Sequence, residues 1–295
     1  MLTDVRSEFY NVAIGEEQRR LTNELVEIAK LGIAAAEEKN TGDEIGRNDV
    51  IEAKIEFHNA EVSAYRGVNR ALMARQRLAA VVGLQEISSA DFKADYDDLP
   101  PEVTFDEALA LIQASSPEMA ALQAEIDRAS WALKRAGVEK IPNITAFGLY
   151  NWRDNGVLNG KPDGAIQFSL PLPLYDRNQG GVQRALAELA TAQRRRRQLE
   201  LNLQNRLADT FEAYSNARIQ VRIYRDELLP AAHQALELTR SAYQADKVDF
   251  NDFLTSQRTN SNANLEYLMA LKELRTSEME IQGLLLSGSL EGATE

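Results

Sequence analysis

The sequence contains no cysteine and only two histidines, which limits the chemistry it can support. Without thiolates, the 295-residue chain can form no disulfide, iron–sulfur cluster or thiolate zinc site. His58 and His233 are far apart in the sequence, so a multi-histidine metal site within one chain is excluded. Nothing in the chain resembles a nucleophile elbow, a P-loop or a zinc-protease helix. We therefore predict a protein that is not an enzyme and that has no cofactor or resident metal.

The chain also lacks long apolar runs and an excess of basic charge. The chain contains no run of about 18 apolar residues, so the sequence predicts no transmembrane helix. Its first residues also lack the basic-then-apolar layout of a signal peptide. The net charge is −12, from 33 basic and 45 acidic residues. This balance argues against nucleic acid as a partner, because a nucleic-acid binder needs a basic face to neutralise phosphates.

Proline is scarce, and its distribution predicts long helices. The eight prolines leave residues 1–99 and 231–295 entirely free of proline, and proline costs about 3 kcal/mol inside a helix. After Gly181, two sets of mainly small or apolar residues recur every seven positions, which predicts a left-handed coiled coil. The sets are Leu207, Tyr214, Val221, Leu228, Ala235 and Ala242, and Thr210, Ala217, Tyr224, Ala231, Leu238 and Ala245. We expect Pro230 to kink this helix without changing its register.

The helical tracts are arranged as two similar hairpins. Residues 1–86 predict a hairpin with its break at Asn40–Gly46, and residues 176–288 predict a longer one with its break at Asp246–Asp249. The corresponding breaks indicate an internal repeat with a period near 200 residues. Residues 87–103 read as a linker, and residues 104–140 as helix, with a capping box at Thr104 and Glu107 and a second helix start at Ser116-Pro117. Residues 291–295 form a tail.

The only strand signals lie between these helical tracts, at 143–174. The stretch 143–152 places Ile144, Tyr150 and Trp152 on one side, and the stretch 165–174 places Ile166 and Phe168 on one side. This alternation predicts a hairpin of two strands of about ten residues each. Pro171 and Pro173 exclude a central ladder at the end of the second strand. Such strands are typical of a membrane β-barrel, although a hairpin packed on a soluble helical bundle remains an alternative.

Residues 169–181, SLPLPLYDRNQGG, resemble a signature of the outer-membrane efflux protein family. The capping stretch 103–108, the Ser116-Pro117 helix start and the Ile141-Pro142-Asn143 strand entry are also similar to that family. The similarity covers essentially the whole chain and is greatest to the outer-membrane components of cobalt–zinc–cadmium-type resistance pumps.

The resemblance implies a trimeric tube in the outer membrane with a periplasmic extension. Each chain would contribute β-hairpins to a shared barrel and long antiparallel helical hairpins to a periplasmic tunnel, giving a mainly α fold. The implied partners are two further copies, a periplasmic adaptor, an inner-membrane pump and outer-membrane lipid. The implied function is a passive export conduit, here for heavy-metal cations; the alternative is a soluble coiled-coil scaffold that binds partner helices. A periplasmic adaptor fits less well, because the chain lacks a lipoyl-like β-domain.

In this chain the second repeat, 104–290, is complete, whereas the first has only its trailing hairpin. The chain begins at a position that matches Leu207 of the second repeat. We therefore expect a fragment or a start codon assigned too late.

Three groups of residues are the candidate functional positions. Asp49 and Asp252 either cap the helices that follow the breaks or, as the family resemblance implies, contribute to an acidic ring at the tunnel aperture. Tyr150 and Trp152 form either an aromatic girdle at the membrane surface or a packed cluster. The aperture group is Asp43, Asp49, Asp246, Asp249 and Asp252; the membrane group is Tyr150, Trp152, Ile166, Phe168 and Leu170; and the swivel between strand and helix is Pro171, Pro173, Gly180 and Gly181.

Overall fold

The computed structural model describes residues 2–39, 44–87, 101–152, 163–171, 175, 177–245 and 247–286. Over these ranges the chain is mainly helical, with one pair of strands. The helices are α1 (Leu2–Lys39), α2 (Glu44–Val82), α3 (Phe105–Ser115), α4 (Pro117–Val138), α5 (Gln179–Ile223), α6 (Leu229–Gln244) and α7 (Phe250–Gln282). The strands are β1 (Thr145–Asn151) and β2 (Asp163–Ser169). Most of the expected linker 87–103 lies outside the described residues.

The chain divides into two compact units. The hairpin unit comprises Met1–Ile112 and Leu203–Glu295, and the strand unit comprises Gln113–Asn202. In the hairpin unit, α1 packs along α2, and α7 packs against both α1 and α6. In the strand unit, α4, the two strands and the first part of α5 are continuous in sequence.

Small residues let α1 and α2 approach closely. The buried positions of the pair are largely alanines, among them Ala29 and Ala36 on α1 and Ala53 and Ala60 on α2. A Cβ added to Gly67 would lie 2.6 Å from the Thr22 hydroxyl oxygen. The seam therefore depends on backbone proximity rather than on large interlocking side chains, as the alanine-rich sequence predicts.

A π-helical turn at Tyr224–Leu228 interrupts the helix between α5 and α6. The Leu229 backbone N–H donates to the Tyr224 carbonyl, five residues back, and Pro230, which has no N–H, follows directly. The chain stays helical from Gln179 to Gln244. The turn accommodates one extra residue, which is the usual effect of such an insertion.

This turn shifts the heptad register, so the predicted continuation of the register across Pro230 is wrong. Up to Val221 the expected positions are buried, with Leu207, Tyr214 and Val221 at 3% exposure or less. Beyond it, Leu228 and Leu238 are exposed. Between 228 and 245, the buried or half-buried residues are Leu229, Ala232, Leu236, Thr239, Ala242 and Tyr243, and all of them except Ala242 lie one position later than predicted.

The predicted starts of α3 and α4 are confirmed. The Thr104 backbone N–H donates to Glu107 Oε2 at 2.9 Å, and the Glu107 N–H donates to Thr104 Oγ1 at 3.3 Å, which is a capping box. The hydrogen bonds that the Thr104 backbone N–H and hydroxyl donate to the Glu107 carboxylate hold its pKa below the usual range. At α4, Ser116 is the N-cap residue and Pro117 is the first helical residue.

Candidate functional site: the hairpin tips and the strand hairpin

A small core joins the tips of the two helical hairpins in the hairpin unit. Its buried members, here called the tip core, are Ala36, Ala53, Tyr243, Phe250 and Leu254. Half-buried Ile33, Val50, Val248 and Phe253 pack against it. All four helices that approach the tips contribute, so neither hairpin tip is packed independently of the other.

Three aromatic rings anchor the tip core. The Tyr243 and Phe253 rings are stacked with centroids 5.5 Å apart, and Phe250 lies 5.7 Å from Tyr243 and 6.2 Å from Phe253. Beside this core, Arg258 on α7 donates to Glu56 on α2 at 2.7 Å. The two hairpins are thus held together by the tip core, in which these rings from α6 and α7 pack with Ala36 and Ala53, and by an ion pair on an adjacent turn.

The capping role at the start of α7 belongs to Asp249 rather than to Asp252. Asp249 is the N-cap residue, and its side chain accepts a hydrogen bond from the Asp252 backbone N–H at 2.9 Å. Asp252 lies in the first helical turn with its side chain exposed. Asp49 lies in the second turn of α2, which begins at Glu44, so it does not open that helix. Asp49 therefore does not cap α2, whereas Asp252 is not the N-cap residue of α7 but lies in its first turn, where the helix dipole favours a carboxylate.

The tip brings acidic groups from both hairpins together. Burial is the main cause that raises the pKa of Asp49 above its usual range, and the carboxylates of Glu52 and Asp249 add to it. The folded tip therefore binds this proton more tightly than the unfolded chain does. The stability that this protonation contributes to the tip is therefore lost as the pH rises from the ordinary aspartate range through the raised pKa of Asp49.

Two of the predicted aperture residues cannot be placed. Asp43 and Asp246 lie outside the described residues. Within the described ranges, no group of three or more His, Asp or Glu side chains is arranged to hold a metal ion.

In the strand unit, β1 and β2 pair antiparallel, and every predicted membrane residue they contain lies on one face. Ala146 pairs with Phe168, Gly148 with Ile166 and Tyr150 with Gly164. Because directly paired residues share a face, this face is formed by alanine, glycine, tyrosine, isoleucine and phenylalanine alone. The opposite face carries Thr145, Asn151, Gln167 and Ser169 together with Phe147, Leu149 and Ala165.

Nothing within the described residues covers the apolar face of this hairpin. Ile166 is 76% exposed, Phe168 72%, and Leu170, just beyond β2, 50%. The Tyr150 and Trp152 rings meet edge to face with centroids 6.2 Å apart and are both largely exposed. Two strands cannot bury a face by themselves, so this face stays exposed within the described residues.

The start of α5 is fixed by Asn178, a residue that sequence reasoning did not single out. The second strand ends at Ser169, two residues before Pro171 and earlier than the predicted 174, since proline cannot donate to a ladder. Asn178 has φ 60°, a conformation that asparagine tolerates better than most residues. Its amide donates to the Ala136 carbonyl at 3.1 Å and to Glu139 Oε2 at 2.6 Å. Pro173 lies outside the described residues.

The two predicted swivel glycines have different environments. A Cβ on Gly181 would lie 2.2 Å from Asn178 Oδ1, whereas a Cβ on Gly180 would meet nothing within 4 Å. Gly181 therefore leaves room for the Asn178 side chain to turn toward α4. The asparagine directly before Gln179-Gly180-Gly181 is the sequence signal that could have revealed this.

We expect Gly181→Ala to loosen the contact between α4 and α5, because the new methyl group displaces the Asn178 amide from both acceptors. Loss of about two hydrogen bonds costs roughly 1–3 kcal/mol, of which the better helix propensity of alanine recovers about 1 kcal/mol. Thermal unfolding of the purified protein should show a lower midpoint for Gly181→Ala.

Gly180→Ala is the matched control. It makes the same change one residue earlier in open space and should be neutral or slightly stabilising. Equal midpoints for the two variants would contradict the role assigned to Gly181.

Across the described residues, the helices include none that is both long enough and apolar enough to cross a membrane.

Comparison with known sequences identifies the family. The family model described as "Outer membrane efflux protein" matches residues 108–285, which is more than half of the chain. The chain belongs to the outer membrane efflux protein family. The match takes in the strand hairpin, the 169–181 signature and the helices α5, α6 and α7. The sequence prediction of the family is confirmed.

One relative with a described role is similar over almost the whole chain. The cobalt-zinc-cadmium resistance protein CzcC of Cupriavidus metallidurans is 27% identical over 286 residues, which are 96% of this chain and 68% of that protein. The chain thus spans about two thirds of the length of this relative.

Solved structures show the same fold. A membrane protein from Pseudomonas aeruginosa superposes with a TM-score of 0.75 at 16% identity, covering 96% of this chain and 67% of that one. The outer membrane protein VceC of Vibrio cholerae gives 0.73 at 16% identity, covering 97% and 69%. The predicted fold class, long antiparallel helical hairpins with one β-hairpin, is confirmed, and so is the outer membrane as the location.

Proposed function

We propose that this chain is the duct subunit of a tripartite efflux system and that it exports heavy-metal cations. Three copies form a tube whose barrel crosses the outer membrane and whose helical hairpins extend into the periplasm. The tube docks on a periplasmic adaptor and an inner-membrane pump, which supplies the energy. The chain acts as a passive conduit with no catalysis of its own.

The observation that supports the duct is the apolar face of the strand hairpin. Its aromatic and aliphatic side chains are exposed, although the same residues on a soluble scaffold would need a covering layer. Membership of the outer membrane efflux protein family supports the same function. The rival interpretation, a soluble coiled-coil scaffold, offers no reason for an uncovered apolar strand face.

The proposed cargo is supported by the relative whose name records cobalt, zinc and cadmium resistance, and it agrees with the charge of the tips. Asp252 is exposed in the first turn of α7, and Asp49 and Asp249 lie at the same tip. In a three-fold tube, these residues would form an acidic ring at the aperture. Such a ring attracts cations and, through like-charge repulsion, opposes closure.

Single-channel recording of the Asp252→Asn variant in planar bilayers tests both parts of the proposal, which are that the chain forms a duct and that its cargo is a cation. A carboxylate about 10 Å from a cation in water contributes roughly 0.4 kcal/mol. Loss of three carboxylates should therefore lower the ratio of cation to anion permeability several-fold. Glu266→Gln is the control, because it removes the same charge from an exposed position fourteen residues further along α7.

The possible outcomes separate the cargo from the duct. An unchanged permeability ratio in Asp252→Asn would overturn the acidic ring while leaving the duct intact. Protein that forms no channels in any bilayer would overturn the duct itself.

A further inference from the structure

The strand unit carries basic and exposed aromatic side chains where its helices meet its strands. On α4 and just after it these are Lys134, Arg135 and Lys140, and around the start of α5 they are Arg177 and Arg184, all of them exposed. Exposed Trp131 lies one turn before Lys134 on α4. We call these six residues the basic collar.

Asn178 holds the two parts of the basic collar side by side. Its amide bonds the Ala136 carbonyl and the Glu139 carboxylate at the end of α4, while its own backbone starts α5. Arg135, Lys140 and Arg177 each lie within two residues of one of these bonded groups. These three basic residues therefore lie together where the end of α4 meets the start of α5.

The α4 part of the collar lies on one exposed helix face that carries both apolar and basic side chains. Trp131, Lys134, Arg135 and Val138 follow the i, i+3, i+4, i+7 spacing of one helix face. The Lys134 ammonium lies over the Trp131 ring, 4.2 Å from its centroid. Trp131 is 67% exposed and Val138 57%, and Ile141 continues the apolar surface at 65%. Indole, aliphatic and basic groups thus share one exposed face.

The charge of the collar is opposite to that of the whole chain. Residues 131–140 and 175–184 contain five basic residues and two acidic ones, Glu139 and Asp176, although the chain carries a net charge of −12. Arg135 pairs with Glu139 at 3.4 Å and is still 80% exposed. The local excess of positive charge is therefore available to an anionic surface.

We propose that the basic collar binds the anionic headgroups of phospholipids at the surface of the membrane that the strands enter. Ammonium and guanidinium groups would neutralise phosphodiesters, and Trp131 would lie at the level of the headgroups with Val138 and Ile141 toward the acyl chains. The proposal rests on the proposed function, because the collar reaches a bilayer only if the strands enter one.

Continuity with the strands favours lipid over a protein partner. Lys140 precedes β1, which begins at Thr145, by five residues, so this end of the collar lies within about 17 Å of chain from the strand. The apolar strand face and the collar are both uncovered within the described part of the strand unit. In a membrane, the apolar acyl chains lie next to the anionic headgroups. The chain has the matching arrangement, because its apolar strands are followed closely by basic residues.

The chain contains only two tryptophans, Trp131 and Trp152, which makes the test direct. Trp152→Phe leaves Trp131 as the sole reporter of the collar, and Trp131→Phe leaves Trp152 as the sole reporter of the strands. Each full-chain variant is reconstituted into vesicles of phosphatidylcholine, alone or with phosphatidylglycerol. Fluorescence quenching by headgroup-attached nitroxide and by aqueous iodide is then measured.

We expect headgroup nitroxide to quench Trp131 when phosphatidylglycerol is present and iodide to quench it little. Adding Arg135→Gln and Lys140→Gln should raise the phosphatidylglycerol fraction needed for half-maximal quenching, because each charge removed weakens the attraction to an anionic surface about fivefold. Arg194→Gln with Arg197→Gln is the matched control, since it removes two charges from α5 outside the collar, and it should leave the quenching unchanged.

Four results would overturn the inference. Trp131 that iodide quenches and nitroxide does not would face water. Trp131 that is shielded from both quenchers would be covered by protein, such as a second copy. Equal nitroxide quenching in both kinds of vesicle would exclude recognition of anionic headgroups. In these three cases, quenching of Trp152 by the lipid nitroxide would leave the proposed duct intact. The fourth result is that the lipid nitroxide quenches neither tryptophan, which would overturn the proposed duct together with the inference.

Discussion

Ile166→Arg is expected to keep the chain out of the outer membrane. Ile166 lies on the apolar face of β2 opposite Gly148 and is 76% exposed. Arginine on the lipid face of a membrane strand costs about 2–4 kcal/mol near the bilayer midplane, and a trimer would incur that cost three times. Cell fractionation followed by detergent extraction should recover far less of this variant with the outer membrane.

Gln167→Arg is the matched control for this experiment. It introduces the same side chain one residue away, on the face that carries Thr145 and Ser169. Because paired strands alternate faces, this variant should be recovered in the outer membrane like the unmodified protein. Equal losses for the two variants would indicate general misfolding, and equal recovery would mean that the apolar face does not meet lipid.

Phe250→Ala is expected to release the two hairpin tips from each other. Phe250 is 2% exposed and contacts the rings of Tyr243 and Phe253 in the tip core. Truncation of a buried phenylalanine typically costs about 3–5 kcal/mol. Since the tip core takes residues from both hairpins, the loss should appear as faster amide hydrogen exchange in 33–36 and 50–54 of the first hairpin as well as in 243–254 of the second.

Leu238→Ala provides the comparison, because Leu238 is also on the second hairpin but is 64% exposed. An exposed substitution of this kind should change stability by less than about 0.5 kcal/mol. Faster exchange confined to 243–254 in Phe250→Ala would show that the tips pack separately. A strong effect of Leu238→Ala would contradict the shifted register beyond the π-helical turn.

Much of the local structure followed from the sequence, because it depends on neighbouring residues. The Thr104–Glu107 capping box, the Pro117 helix start and the alternation in β1 each need only a few consecutive residues. The heptads were predicted correctly as far as Val221. Beyond that point, a single inserted residue in the π-helical turn moved the buried face, and no composition or spacing rule signals such an insertion.

For the site residues too, the sequence predicted the local position, and the tertiary structure decided the contacts. The sequence placed Asp49 and Asp252 near the ends of helices, but only the fold showed that Asp249 takes the capping role. It also brought Asp49 near Asp249, two hundred residues later, where burial and a neighbouring carboxylate raise the pKa of Asp49. Packing between distant segments sets this pKa, so the residue pattern of a single helix does not predict it.

By itself, the sequence determined that this protein is an assembly of long helices with one apolar strand hairpin, because periodicity, proline placement and caps act within a few residues. It also carried the family signature at 169–181. Only the tertiary structure decided which helix ends share a core, which glycine makes room for Asn178 and which carboxylates meet. Those features arise from contacts between segments far apart in the chain, where shape and burial rather than local propensity select the neighbours.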